Sequence, residues 1–113
     1  MLPKRRRLTT PEVALVLKSG RSRRGTYLSI KFLRTDSPLK TSAVVSKSVA
    51  RKAVDRNRLR RLVYRALDAA VYKQPGFVGT GRAVVFVQKI PQNTEPLPVF
   101  EEEVALLFKN VML

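Results

Sequence analysis

The chain has 113 residues, 44% of them hydrophobic, which suits a single domain (1–113) with one modest core. It carries 23 Lys and Arg against 8 Asp and Glu, a formal net charge of +15, and contains neither Cys nor His. The missing residues exclude disulfides, a thiol nucleophile, the Ser–His–Asp arrangement and most zinc sites, while a field of this size and sign calls for a polyanionic partner, nucleic acid first.

In chain order, residues 1–8 form a basic arm, Met1-Leu2-Pro3-Lys4-Arg5-Arg6-Arg7-Leu8. No apolar stretch follows it, so secretion is not expected, and no run is long enough to span a membrane. A cytoplasmic protein without a membrane partner is the expectation. Thr9 and Glu12 have the spacing of a capping box, Pro11 is tolerated in the first turn, and Val13, Val16 and Leu17 give the apolar stripe of a first helix stopped by Gly20. Residues 21–25, Arg-Ser-Arg-Arg-Gly, read as a basic connector.

From Tyr27 to Leu33 the chain alternates, with Leu28, Ile30 and Phe32 on one face and Tyr27, Ser29 and Lys31 on the other. Asp36-Ser37-Pro38 signals a turn, and Thr41 to Ser46 a second strand, expected to pair with the first as a hairpin. Ser46 or Ser48 is expected to cap a long helix ending near Tyr72 and Lys73, closed by Pro75-Gly76. Residues 83–87, Ala-Val-Val-Phe-Val, suit a strand buried on both faces. A proline-rich connection from Pro91 to Pro98 leads to a last helix. Phe100, Val104, Leu107, Phe108 and Val111 share one face of it, and Glu101 to Glu103 are expected in its first turn. The fold class is α+β: a two-layer sandwich, three helices on a small sheet, in the order α-β-β(-β)-α-β-α.

The most informative block is Arg56-Asn57-Arg58-Leu59-Arg60-Arg61-Leu62-Val63-Tyr64-Arg65. Leu59, Leu62, Val63, Ala66 and Ala70 fall on one helical face; at ~100° per residue, Asn57, Arg58, Arg61, Tyr64 and Arg65 point the other way. Solvated faces usually alternate Lys and Glu at i, i+4 for mutual support. Here Arg58, Arg61 and Arg65 are like charges with only Asp55 and Asp68 near, a pattern that asks for an external anion. Guanidiniums pair bidentately with phosphate and stack on bases. The Tyr27, Ser29 and Lys31 strand face is either a plain solvent face or a platform for unpaired bases. Gly76, Gly79 and Gly81 precede a strand rather than open a helix, so a turn is the better reading than a phosphate loop. Glu101 to Glu103 diverge around their helix and are not expected to hold a metal.

These residues resemble a family. Val44-Val45-Ser46-Lys47, then Ala53-Val54, then Arg56-Asn57-Arg58-Leu59-Arg60-Arg61-Leu62 look like the central segment of the bacterial ribonuclease P protein subunit, and Leu2-Pro3-Lys4 to Arg7-Leu8 look like its N-terminus. The resemblance implies a left-handed β-α-β crossover around the central helix, against the usual hand. It implies a protein that assists a catalytic RNA in removing the 5′ leader of precursor tRNA, as a subunit of an endoribonuclease. The RNA, with Mg²⁺ bound mainly by it, would carry the chemistry, leaving the protein alone non-catalytic. The implied partners are that RNA and precursor tRNA, with no obligate protein partner. Lys47, Lys52, Arg56, Asn57, Arg58, Arg60, Arg61 and Arg65 would bind the catalytic RNA; Val13, Val16, Leu17, Tyr27, Ser29 and Lys31 would line a cleft for the leader. No catalytic or metal-ligating residue is expected in the protein. The chain departs from the family at Val13, often aromatic there, at Ser48 and Tyr64, usually basic, at Ala50, usually near a glycine, and at Gln88, where an arginine is common. The alternative reading is a small ribosomal or ribosome-assembly protein binding structured rRNA.

Overall fold

The computed structural model describes residues 3–75 and 79–112, with the side chain of Met112 left out. In chain order it contains α1 (Thr10–Ser19), β1 (Arg21–Arg24), β2 (Leu28–Pro38), β3 (Lys40–Val45), α2 (Ala53–Leu67), β4 (Thr80–Val87) and α3 (Pro96–Met112). A short 3-10 turn at Lys4–Arg6 precedes α1, and a π-helical turn at Asp68–Tyr72 extends α2. This is the expected α+β class with three helices, built on a mixed sheet ordered β1-β2-β4-β3.

The expected hairpin is replaced by a different pairing. β4 lies between β2 and β3, antiparallel to the first and parallel to the second. The alternation of β2 and β3 shows which face each buries but not which strand each pairs with. The run in β4 decides it: Ala83, Val84 and Val85 are all buried, so this strand needs neighbours on both edges and layers on both faces. Parallel β3 and β4 then require a crossover connection, and α2 supplies it.

Alternation sorts the two layers. Leu28, Ile30, Phe32, Ala43, Val45, Ala83, Val85 and Val87 belong to the main core, with Leu59, Val63, Ala66 and Leu67 of α2 and Phe100, Val104, Leu107 and Phe108 of α3. Val84 points to the other face, where α1 crosses β2 and β4 and buries Val16 completely. Gly81 is required where it stands: its φ is +119°, and a Cβ there would come within 2.6 Å of the Phe32 ring.

Four boundaries differ from the sequence reading, each for a physical reason. Residues 21–24 are not a connector but the edge strand β1, paired with β2 from Arg21↔Phe32 to Arg24↔Ser29. Every residue of β1 is exposed, so its own pattern held no signal. β2 runs through the Asp36-Ser37-Pro38 turn signal, and the chain passes over the start of β4, Pro38 pairing with Thr80 and Lys40 with Arg82. α2 starts at Ala53, not at Ser46 or Ser48: those hydroxyls bond each other at 2.8 Å, and the Ser46 carbonyl accepts from Val49 and Ala50. α3 begins at Pro96, which moves Glu101 to Glu103 beyond its first turn. Glu103 instead reaches the β1–β2 turn, where its carboxylate accepts from the Tyr27 and Leu28 amides at 2.9–3.0 Å. Gly25 leaves room for it; a Cβ there would lie 2.3 Å from Glu103 Oε1. The closing turn at Pro75-Gly76 falls partly outside the described residues.

The capping box forms as expected. Thr9 Oγ1 accepts from the Glu12 amide, and Glu12 Oε1 accepts from the Thr9 amide at 3.0 Å. Glu12 also holds α1 to the sheet, pairing with Arg82 at 2.9 Å and Lys40 at 4.0 Å. The Thr9 backbone hydrogen bond is the largest influence holding the Glu12 carboxyl below its ordinary pKa; burial opposes, and the Thr9 hydroxyl, Arg82 and Lys40 reinforce it. A depressed folded-state pKa adds stability above the ordinary carboxylate range that is lost as pH falls through the lowered value. The unfolding midpoint of the wild type should therefore exceed that of Glu12→Gln at neutral pH. The gap should close on acidification below the ordinary value of 4.5; thermal melts of both proteins across that range check it.

Candidate nucleic-acid interface

β3 is an edge strand, and its outer side is covered. Ala43 N donates to Tyr64 Oη at 3.2 Å, Tyr72 Oη donates to the Leu39 carbonyl at 3.0 Å, and Leu8 N donates to the Thr41 carbonyl at 3.1 Å. Tyr64 is thus turned from the basic face, where periodicity put it, onto the strand edge. Burial raises the pKa of the Tyr72 hydroxyl, opposed by the Thr41 hydrogen bond and by the charges of Arg6 and Arg82. Arg6 stacks over the Tyr72 ring at 4.5 Å and pairs with Asp68 at 3.6 Å, so the basic arm is fastened to the end of α2.

With Tyr64 and Tyr72 engaged there, the outward face of α2 is left to arginine. Asn57, Arg58, Arg61 and Arg65 are exposed and Arg60 is half exposed. Arg60 donates to the Asn57 side chain, which orients both groups. Among the described residues Arg58, Arg61 and Arg65 form no hydrogen bond or ion pair. Lys47 and Lys52, both exposed, extend the surface along the loop before α2, and exposed Arg51, which the sequence reading passed over, joins them. Arg56 does not: its guanidinium turns back and donates to the carbonyls of Ala50 at 3.1 Å and Arg51 at 2.6 Å. It braces a helix start that has no side-chain cap. The outward cations of the helix and its lead-in can neutralise phosphates, and the planar groups can stack on bases.

The second predicted surface lies on the opposite face of the sheet. Beside α1, a basin of about 460 Å³ is lined by Ser22, Arg24, Ser29, Lys31, Phe86 and Gln88, among others. Ladder partners share a face, so Ser22 stands beside Lys31 and Arg24 beside Ser29. Lys31 Nζ donates to the Leu17 carbonyl at 2.8 Å, joining helix to strand, and Gln88 donates to Ser29 Oγ at 2.8 Å. Leu17 is 40% exposed at this junction and Val13 is half buried. Val16 is 0% exposed and packs under the helix, so it cannot meet a ligand. Tyr27 does not line the basin; its half-buried ring packs against the main core with Lys89 Nζ 5.4 Å over it. Spacing gives no sign of Arg24, which sits in an apparent connector, or of Phe86, which sits in an apolar run; Gln88, singled out only as a departure from the family, takes its place in the lining here.

Among the described residues no three His, Cys, Asp or Glu side chains gather as metal ligands, and no helix is long and apolar enough to cross a membrane. The molecule is an α+β sandwich with a bare arginine helix on one face of its sheet and a polar basin on the other. The sequence profile of the ribonuclease P family matches residues 2–111, and the chain belongs to that family. The fold agrees. The ribonuclease P protein of Staphylococcus aureus superposes with a TM-score of 0.75 at 15% identity, over 94% of each chain. That of Thermotoga maritima does so with a TM-score of 0.69 at 22% identity, over 91% of this chain and 96% of that one. No curated protein sequence matches the chain.

The contrast between Arg56 and Arg61 can be measured. Arg56→Ala should lower stability by about 1–2 kcal/mol, since it strips partners from two carbonyls. Arg61→Ala should leave stability within about 0.5 kcal/mol of wild type, as an exposed change away from any internal contact. Denaturant unfolding of the two variants checks both values.

Proposed function

We propose that this protein is the RNA-binding subunit of a ribonuclease P that removes the 5′ leader of precursor tRNA, with α2 held against the catalytic RNA. The observation that carries it is the array of Arg58, Arg61 and Arg65, at i, i+3 and i+7, with no internal counter-ion among the described residues. Family membership favours this reading over rRNA binding. Within it, Asn57 and Arg60 present a paired amide and guanidinium, Lys47, Arg51 and Lys52 meet flanking phosphates, and Arg56 acts indirectly by holding the loop that carries them.

The leader is assigned to the basin on the other face. A single strand there meets a half-buried aromatic at Phe86, hydroxyls at Ser22 and Ser29, the Gln88 amide, and the cations Arg24 and Lys31. Two surfaces on opposite faces of one thin sheet let the subunit touch catalytic RNA and substrate at once. In this reading hydrolysis belongs to the RNA and to Mg²⁺ held mainly by it, and the protein contributes binding and position. A cytoplasmic location follows from the substrate.

Three outcomes test the proposal. Purified protein with precursor tRNA and Mg²⁺ should leave the substrate intact, and adding a ribonuclease P RNA should give cleavage at the mature 5′ end; cleavage by the protein alone sinks it. The Arg58→Ala/Arg61→Ala protein should bind that RNA more weakly, with a log K against log salt slope shallower by about one unit for each phosphate that is no longer neutralised. An unchanged slope at unchanged circular dichroism makes the arginine face merely solvated. Lys31→Ala should weaken the assembled enzyme's hold on precursor tRNA more than on leaderless tRNA; equal weakening would remove the leader from the basin.

A further inference from the structure

A groove of about 510 Å³ lies at the start of α2, between the loop before it and the β4–α3 connection. Its floor is apolar: Val49, Leu62, Ile90 and Pro96 are each half buried, so each keeps surface turned to solvent. Its rim is cationic, with Arg51, Lys52 and Arg58 all exposed. Arg58 is shared with the arginine array, so the groove is continuous with the α2 surface.

Phosphate binding accounts for the rim but not for the floor. A phosphate gains nothing from an aliphatic surface, and open apolar area amid a strongly basic face costs free energy until something covers it. The Asp55 carboxylate also stands on this rim and repels any bare anion set beside it. The two features suit one chemistry together. An RNA base turned out of its stack is a flat, largely apolar plate that carries N–H donors at its edge and is flanked by two phosphates. RNA-binding proteins take such bases between apolar side chains or under a guanidinium plane. Here the plate meets the aliphatic floor, Arg58 can cover its outer face, Asp55 can accept from its edge, and Arg51 and Lys52 can meet the flanking phosphates. The volume lies within the range of small-ligand sites, ample for one nucleotide.

We propose that this groove receives a single unstacked base of the partner RNA. The proposal rests on RNA binding by α2, and its test separates the two. Ile90→Lys narrows the floor while adding a positive charge. If only charge matters, this variant binds ribonuclease P RNA as tightly as wild type or more tightly. If a base inserts, it binds at least about fivefold more weakly despite the added charge. Arg61→Ala runs beside it: if that variant binds at wild-type strength, RNA binding by α2 is what fails. If it binds more weakly while Ile90→Lys does not, the base pocket fails alone.

The wild-type protein supplies a second readout that needs no substitution. Adenosine 5′-monophosphate should shift the methyl resonances of Leu62 and Ile90, and inorganic phosphate at the same concentration should not. Identical shifts from the two probes, or none from the nucleotide, overturn the proposal.

Discussion

Everything in this fold answers to the burial of β4 on both sides. Ala83, Val84 and Val85 run consecutively with at most 1% exposure, so one strand must be enclosed by strands at both edges and helices on both faces. Each fully buried valine contributes roughly 1.5–3 kcal/mol. Enclosing it separates β2 from β3, makes the β3–β4 pair parallel, and forces the connection between them to cross a face as a helix. That helix is α2. Leu59, Val63, Ala66 and Leu67 commit one side of it to the core, and the arginines are left facing outward in fixed register. The outward arginine array is a by-product of how the central strand is covered.

Three of the eight acids reinforce that outcome. Glu12 joins α1 to Arg82 and Lys40, Asp68 takes Lys73 and Arg6, and Glu103 holds two amides of the β1–β2 turn. Arg82 is equally committed, donating to the carbonyls of Pro38 and Gly81 where the chain crosses the start of β4. Anions engaged in holding elements together are not available to neutralise Arg58, Arg61 or Arg65. A chain with so few carboxylates, placed in this way, divides its cations into a structural set and an outward set.

Local features were legible in the sequence and pairings were not. The Thr9–Glu12 capping box, the double-sided burial of β4 and the apolar stripe of α2 each depend on residues a few positions apart. Which strand β3 joins depends on β4, some forty positions downstream, so alternation in β3 could not reveal it. β1 is invisible for a different reason, since a strand exposed on both faces carries no periodicity. The site divides along the same line. Arg58, Arg61 and Arg65 follow from helical spacing, because no other described element engages their charges. Arg56 has the same residue type on the same helix, yet its role is set by carbonyls that only the folded loop presents. Val16 shows the converse error: membership of the α1 stripe does not distinguish the underside of a helix from the wall of a cleft.

The two edges of the sheet are guarded by different means. Along β3, tyrosine hydroxyls and the N-terminal arm occupy backbone groups that another strand would need. Along β1 no described element covers the edge, and the guard is charge, three arginines in four residues on a strand otherwise able to template a neighbour. Hydrogen-bonded cover does not depend on ionic strength, whereas electrostatic repulsion between two β1 edges fades within the Debye length. The two guards therefore differ in kind: concentrated salt, or a polyanion laid along those arginines, would remove the barrier at one edge and leave the other closed.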